Sequence, residues 1–182
     1  MALSAEDLPE LVARAYAVFD SERPRPVHIS VPLDVLAAPI LRDYGILGFI
    51  EPLGFEECAL RRKRVAVEAI KSIGGLDVFR LVHDTFHHHL ASEHEFFPEL
   101  TGLVHISGVE DAQAPLATIR DGHRVLVGEG DILGNAAQIN TLLSTGYSGY
   151  LSFEPFAESV HGLADIEQAL GASMAHLKRT QA

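Results

Sequence analysis

The sequence predicts an α/β fold of parallel strands in barrel-type geometry. From Tyr44 onward, apolar runs alternate with amphipathic stretches of helical spacing. That alternation implies parallel strands buried on both faces and joined by right-handed crossovers. Every run also closes on one polar residue. Polar residues ending every strand suit a barrel, which builds its active site at the strands' carboxyl ends, better than an open sheet with one glycine-rich switch point.

Taken in order, Ser4 and Asp7 resemble a capping arrangement, and Leu8, Leu11, Val12, Ala15 and Phe19 share one face of a helix of about four turns. Arg23-Pro-Arg-Pro26 ends it, Val27 to Val31 alternates as a strand does, and Asp34 to Pro39 reads as a connector. The four apolar runs are Ile46 to Ile50 ending in Glu51, Val78 to His83 ending in Asp84, Leu103-Val104 ending in His105, and Tyr150 to Phe153 ending in Glu154. Helices are predicted over Glu56 to Ile73, with Gly74-Gly75 as the stop, over Asn135 to Ser144, and over Leu163 to Leu177.

With 182 residues and 47% hydrophobic content, the chain has material for one sizeable core. A net charge of −11 with only 14 Lys and Arg leaves no basic stripe for a phosphate backbone, so nucleic acid is not an expected partner. The lone Cys58 forms no internal disulfide. No apolar run is long enough for a bilayer, and the start lacks the basic and apolar regions of a signal peptide, so no membrane partner and a cytoplasmic location are expected.

Side chains alternate along a strand, so Phe49 and Glu51 share a face, as do Val82 and Asp84, Leu103 and His105, and Ser152 and Glu154. Any one acidic residue after a strand is ordinarily a cap or a solvated loop residue; four in register are not. Three carboxylates and one imidazole at a barrel rim resist desolvation unless a cation neutralises them. An oxygen-rich set with one imidazole and no thiolate suits Mn²⁺, Zn²⁺, Mg²⁺ or Co²⁺. In His87-His-His89 adjacent residues cannot all face one ion. His87, one turn beyond Asp84, is placed to reach a substrate oxygen, whereas His88, His94, His123, His161 and His176 read as surface residues.

The motifs Asp84-Thr-Phe-His-His-His89, His105-Ile-Ser-Gly-Val-Glu-Asp111, Asp121-Gly-His-Arg-Val-Leu-Val-Gly-Glu-Gly130 and Phe153-Glu-Pro-Phe156 resemble, in order and type, those of xylose-isomerase-like TIM barrels, especially the keto-inositol (inosose) isomerase group. The resemblance covers residues from Asp43 on. It implies metal ligation by Glu51, Asp84, His105 and Glu154, substrate contacts by His87 and Arg124, and a small polyol or keto-sugar as substrate. Glu51 and Glu154 would remove and return a proton in an isomerisation or epimerisation through a metal-stabilised enediolate, a carbohydrate or inositol catabolic reaction. Inosose dehydration and a metal-binding but catalytically impaired relic are the alternatives. The acidic charge and single-histidine set weigh against the related apurinic endonucleases.

Eight-stranded barrels need about 250 residues, so residues 41–182 are expected to form the carboxyl-terminal half, a partial TIM barrel of about four βα units. It would be completed by oligomerisation, as a homodimer or larger homo-oligomer, or by the amino-terminal strand, because open edges invite pairing. Residues 1–40 form the other segment: Leu11-Val-Ala-Arg-Ala-Tyr-Ala-Val-Phe19 and Arg23-Pro-Arg-Pro-Val-His-Ile-Ser-Val-Pro-Leu-Asp34 resemble a fragment of thiamine-diphosphate enzymes of the acetolactate-synthase type. The fragment has neither those enzymes' cofactor-ring acid nor their diphosphate motif, so no thiamine diphosphate is expected.

Overall fold

The structure, a computed structural model, describes residues 8–19 and 38–180. Helix α1 spans Leu8–Phe19, close to the predicted first helix; Ser4, Asp7 and the Val27 to Val31 strand lie outside the described residues. The predicted connector ending at Pro39 instead runs into a helix, α2 (Ala38–Tyr44), with Pro39 in its first turn. Proline belongs there, since it needs no intrahelical donor at that position.

Four strands follow: β1 (Gly48–Ile50), β2 (Phe79–Asp84), β3 (Thr101–Ile106) and β4 (Tyr150–Phe153). They form one sheet in the order β1-β2-β3-β4, parallel throughout. The order follows the chain, as in a wound barrel wall. A register shift between Leu81 and Val82 brings Asp84 level with His105, and His105 is level with Ser152.

Helices α3 (Lys63–Ser72), α4 (Thr85–Leu90) and α5 (Asn135–Ser144) lie between the strands, and α6 (Glu158–His161) and α7 (Ile166–Arg179) follow β4. Helix α5 has the predicted bounds. Helix α3 begins seven residues later than predicted, because residues before it fold back as a loop: Leu53 N–H donates to the Leu60 carbonyl, and Arg61 donates to the carbonyls of Gly54 and Leu90. Helix α7 starts after Asp165, whose side chain accepts the Gln168 N–H as a cap, so Leu163 lies outside it; the short α6 precedes it.

One face of the sheet packs on helices. Phe79 and Leu81 cluster with Ala66, Val67 and Ile70 of α3, and Val104 and Ile106 cluster with Ile139, Leu142 and Leu177 of α5 and α7. Each such cluster removes apolar side chains from water at roughly 1.5–3 kcal/mol apiece. The other face carries the strand-end polar groups and departs from the expected burial on both faces. Phe49 is 48% exposed and Tyr150 83% exposed, so both edge strands present apolar surface to solvent. Among the described residues no helix is long and apolar enough to cross a membrane.

Candidate metal centre

Alternation along the strands delivers the predicted convergence. Glu51, Asp84, His105 and Glu154 each offer one ligand atom, and these atoms lie within 4.8 Å of one another. Glu51 and Glu154 follow β1 and β4, Asp84 closes β2, and His105 sits one residue before the end of β3. Phe49, Val82, Leu103 and Ser152, two residues back on each strand, share the same face.

Two cationic side chains bind this acidic group together. His105 Nδ1 lies 3.1 Å from Glu51 Oε1 and 3.2 Å from Glu154 Oε2. Burial alone would lower the His105 pKa; the hydrogen bonds to Glu154 and Glu51 outweigh it and raise the pKa to about 10. Glu154 responds in the opposite sense, its burial outweighed by His105 and Arg124 so that its pKa falls to about 2.

Arg124 is 1% exposed. Its Nη2 donates to Asp84 Oδ2 at 2.5 Å and to Glu154 Oε2 at 2.8 Å, its Nε to Ser107 Oγ at 2.9 Å, and its Nη1 to Asp121 Oδ1 at 3.3 Å. The guanidinium lies between the rings of Phe86 and Phe156, each 4.8 Å from its carbon. Burial pushes the Asp84 carboxyl up to about 7, against the pull of Arg124 and of the His87 N–H that bonds Oδ1 at 3.0 Å. Arg124 thus touches two of the four proposed ligands directly.

His87 lies on α4, buried, and its Nδ1 accepts the Gly54 N–H at 3.2 Å. Burial lowers its pKa to about 4. The ring is therefore neutral with its proton on Nε2, a donor. His87 and Arg124 line a cavity of about 170 Å³ together with Glu51, Glu154, Asp121, Leu53, Phe55 and Phe156. Gly54 makes this wall possible: a Cβ there would stand 2.1 Å from the His87 carbonyl oxygen.

Sequence reasoning gave no role to Asp121, Ser107, Phe55 and Phe156. All but Phe55 stand within the motifs quoted for the family resemblance, which was the signal that could have found them. His88, read as a surface residue, is buried on α4 because Lys63 meets it inside the fold.

A family model for the xylose isomerase-like TIM barrel matches residues 35–180. The chain belongs to this family. Among solved structures of similar fold, a xylose isomerase domain protein from Salmonella typhimurium is 28% identical, with a TM-score of 0.71 over 98% of this chain and 69% of its own. The IolI protein, solved with a bound zinc atom, is 20% identical, with a TM-score of 0.72 over 96% of this chain and 68% of its own. The 3-keto-D-glucoside 4-epimerase YcjR of E. coli is 22% identical, with a TM-score of 0.58 over 81% and 51% of the two chains. A probable 2-ketoarginine decarboxylase of Pseudomonas aeruginosa is 80% identical over 45 residues, which span 25% of this chain and 8% of that protein. So short a share is no ground for assigning that protein's activity to this chain.

Proposed function

We propose that this xylose isomerase-like chain is a divalent-metal-dependent isomerase or epimerase of a small sugar or cyclitol ketone, with an inosose-like hydroxy-ketone as the substrate class. The convergence of Glu51, Asp84, His105 and Glu154 within 4.8 Å carries the reading. The donor set fits a hard or borderline divalent ion, with three carboxylates, one imidazole and no thiolate. Its three carboxylates outnumber the two cationic groups, Arg124 and His105, that contact them. The zinc atom in IolI and the keto-sugar chemistry in the name of YcjR support the same reading.

A bound divalent ion would supply Lewis-acid polarisation of a carbonyl. The chain's own residues supply the rest. A carboxylate oxygen of Glu51 or Glu154 takes the proton beside the carbonyl and returns it to the neighbouring carbon or the opposite face. The His87 Nε2–H donates to a substrate hydroxyl. Arg124 orients Asp84 and Glu154 and borders the cavity where a second hydroxyl would lie. Phe55 and Phe156 keep water from the reacting carbon.

Incubation with an inosose in D₂O, with Mn²⁺, Zn²⁺, Co²⁺ or Mg²⁺ in turn, tests the proposal. Deuterium should enter at the carbon beside the carbonyl and the isomeric ketone should accumulate. Tight metal binding with no deuterium incorporation would instead favour the catalytically impaired relic. The exposed edges at Phe49 and Tyr150 favour a homodimer or higher homo-oligomer that covers them. Sedimentation at equilibrium measures it: a monomer at micromolar concentration would refute the oligomer.

A further inference from the structure

Behind the metal centre, on the helix face of β2, lies a second polar cluster that the proposed reaction does not use. Lys63, the first residue of α3, is 3% exposed. Its Nζ lies 2.9 Å from His83 Nδ1 and 2.8 Å from His88 Nδ1. An ammonium has no acceptor, so both imidazole nitrogens accept, and both rings are neutral with the proton on Nε2. Burial, followed by the charge of Lys63, lowers both histidines, His88 to about 3 and His83 well below its ordinary value.

The bonds continue in one direction. His83 Nε2–H donates to Gln138 Oε1 at 3.0 Å, and Gln138 Nε2 donates to the carbonyls of Thr85 and Leu133 at 3.1 and 2.9 Å. Phe96 closes the nest, stacked on His83 at 5.4 Å, 4.6 Å from His88 and 5.4 Å from Lys63 Nζ. Glu93 accepts the Lys63 backbone N–H at 2.8 Å and supplies the nearby negative charge.

The groups held are the neighbours of Asp84 and His87. His83 precedes Asp84, the Thr85 carbonyl follows it, and His88 follows His87. We infer that Lys63, acting through His83, His88 and Gln138, is a positioning residue that clamps the junction of β2 and α4 and so sets the aim of Asp84 and His87. The consequence for metal rests on the proposed metal centre; the clamp itself does not. The arrangement is a preorganising outer layer, and changes in such layers typically cost about 10–100-fold in metal affinity.

The test compares the full chain with Lys63→Met, and with a core substitution on the same helix, Ile70→Val or Ile70→Ala, chosen to match its loss of Tm. In metal-free protein, ¹⁵N imidazole spectra should show His83 and His88 as Nε2–H tautomers, and Lys63→Met should shift both. The His87 amide, bonded to Asp84, should exchange at least tenfold faster in Lys63→Met than in the matched control. Zn²⁺ affinity should fall tenfold or more in Lys63→Met and less than twofold in the control. Exchange no faster than in the control overturns the clamp, as does unchanged Zn²⁺ affinity in a variant of a protein that binds Zn²⁺. If the wild-type chain binds no Zn²⁺, the metal reading fails, and the imidazole and exchange results decide the clamp alone. If Lys63→Met does not fold, Gln138→Ala breaks the far end of the same bond chain, and the same comparisons decide.

Discussion

The two faces of strand β2 carry two polar clusters of opposite character. On the site face, Asp84 joins Glu51, Glu154 and His105, where carboxylates outnumber the cations that touch them. On the helix face, His83 joins Lys63, His88 and Gln138, where the ammonium finds two imidazole acceptors and His83 donates to the glutamine oxygen. Surplus acceptors accord with the proposed cation site, and groups bonded to one another accord with the proposed clamp. Burial alone does not separate them, since Asp84, Arg124, Lys63 and His83 are all almost inaccessible.

The strongest way to break the contrast is Arg124→Met. It leaves Asp84 buried without its guanidinium, and losing one partner of a buried pair costs about 3–5 kcal/mol. Urea denaturation of metal-free protein measures this, and added Zn²⁺ should restore part of the loss. Asp84→Asn removes a proposed ligand instead, so calorimetry should show Zn²⁺ affinity falling by more than the ~10–100-fold of an outer-layer change. Unaltered binding in Asp84→Asn would sink the metal centre.

Gly54→Ala sharpens the comparison at the cavity wall. Its Cβ would press on the His87 carbonyl, and overpacking of this kind costs about 1–3 kcal/mol. The displaced His87 should raise KM more than it lowers kcat, as steady-state kinetics with the accepted substrate would show.

Changes of pH should pull the two clusters in opposite directions. In metal-free protein His105, raised from 6.5 to about 10, contributes stability that is fully present below pH 6.5 and is lost as pH rises through 10. Lys63, lowered by burial from 10.5 to about 8, does the reverse. Between pH 8 and 10.5 the unfolded chain holds that proton and the folded chain does not, so stability rises with pH. Lys63→Met removes the rising limb and should lose stability more steeply above pH 8, as denaturation midpoints across this range would reveal. Zn²⁺ binding must expel the His105 proton, so its heat should vary with the ionisation enthalpy of the buffer.

What was legible in the sequence follows the same division. Glu51, Asp84, His105 and Glu154 could be read because each stands at one repeated place, the end of an apolar run, and strand alternation turns that repetition into convergence. Helix α5 could be read from its apolar spacing. The start of α3 could not, because the loop before it is held by Arg61 reaching the carbonyls of Gly54 and Leu90, a partner 29 residues away. Nor could the burial of His88 or the partners of Arg124. His88 meets a lysine 25 positions back, and Arg124 meets Asp84 40 positions back. No local pattern encodes such pairings.

His83 and Asp84 are neighbours that face opposite ways, and that arrangement bears on how the chain finds its fold. A slip of β2 by one residue would exchange their faces. A slip that carried His83 to the place of Asp84 would set an imidazole beside the Arg124 guanidinium and carry apolar Val82 to the place of His83, leaving the Lys63 ammonium without its acceptor on the strand. Apolar alternation already disfavours that misalignment; the two clusters add a second, electrostatic check. The strand that aims the proposed chemistry is therefore also proofread by it during assembly.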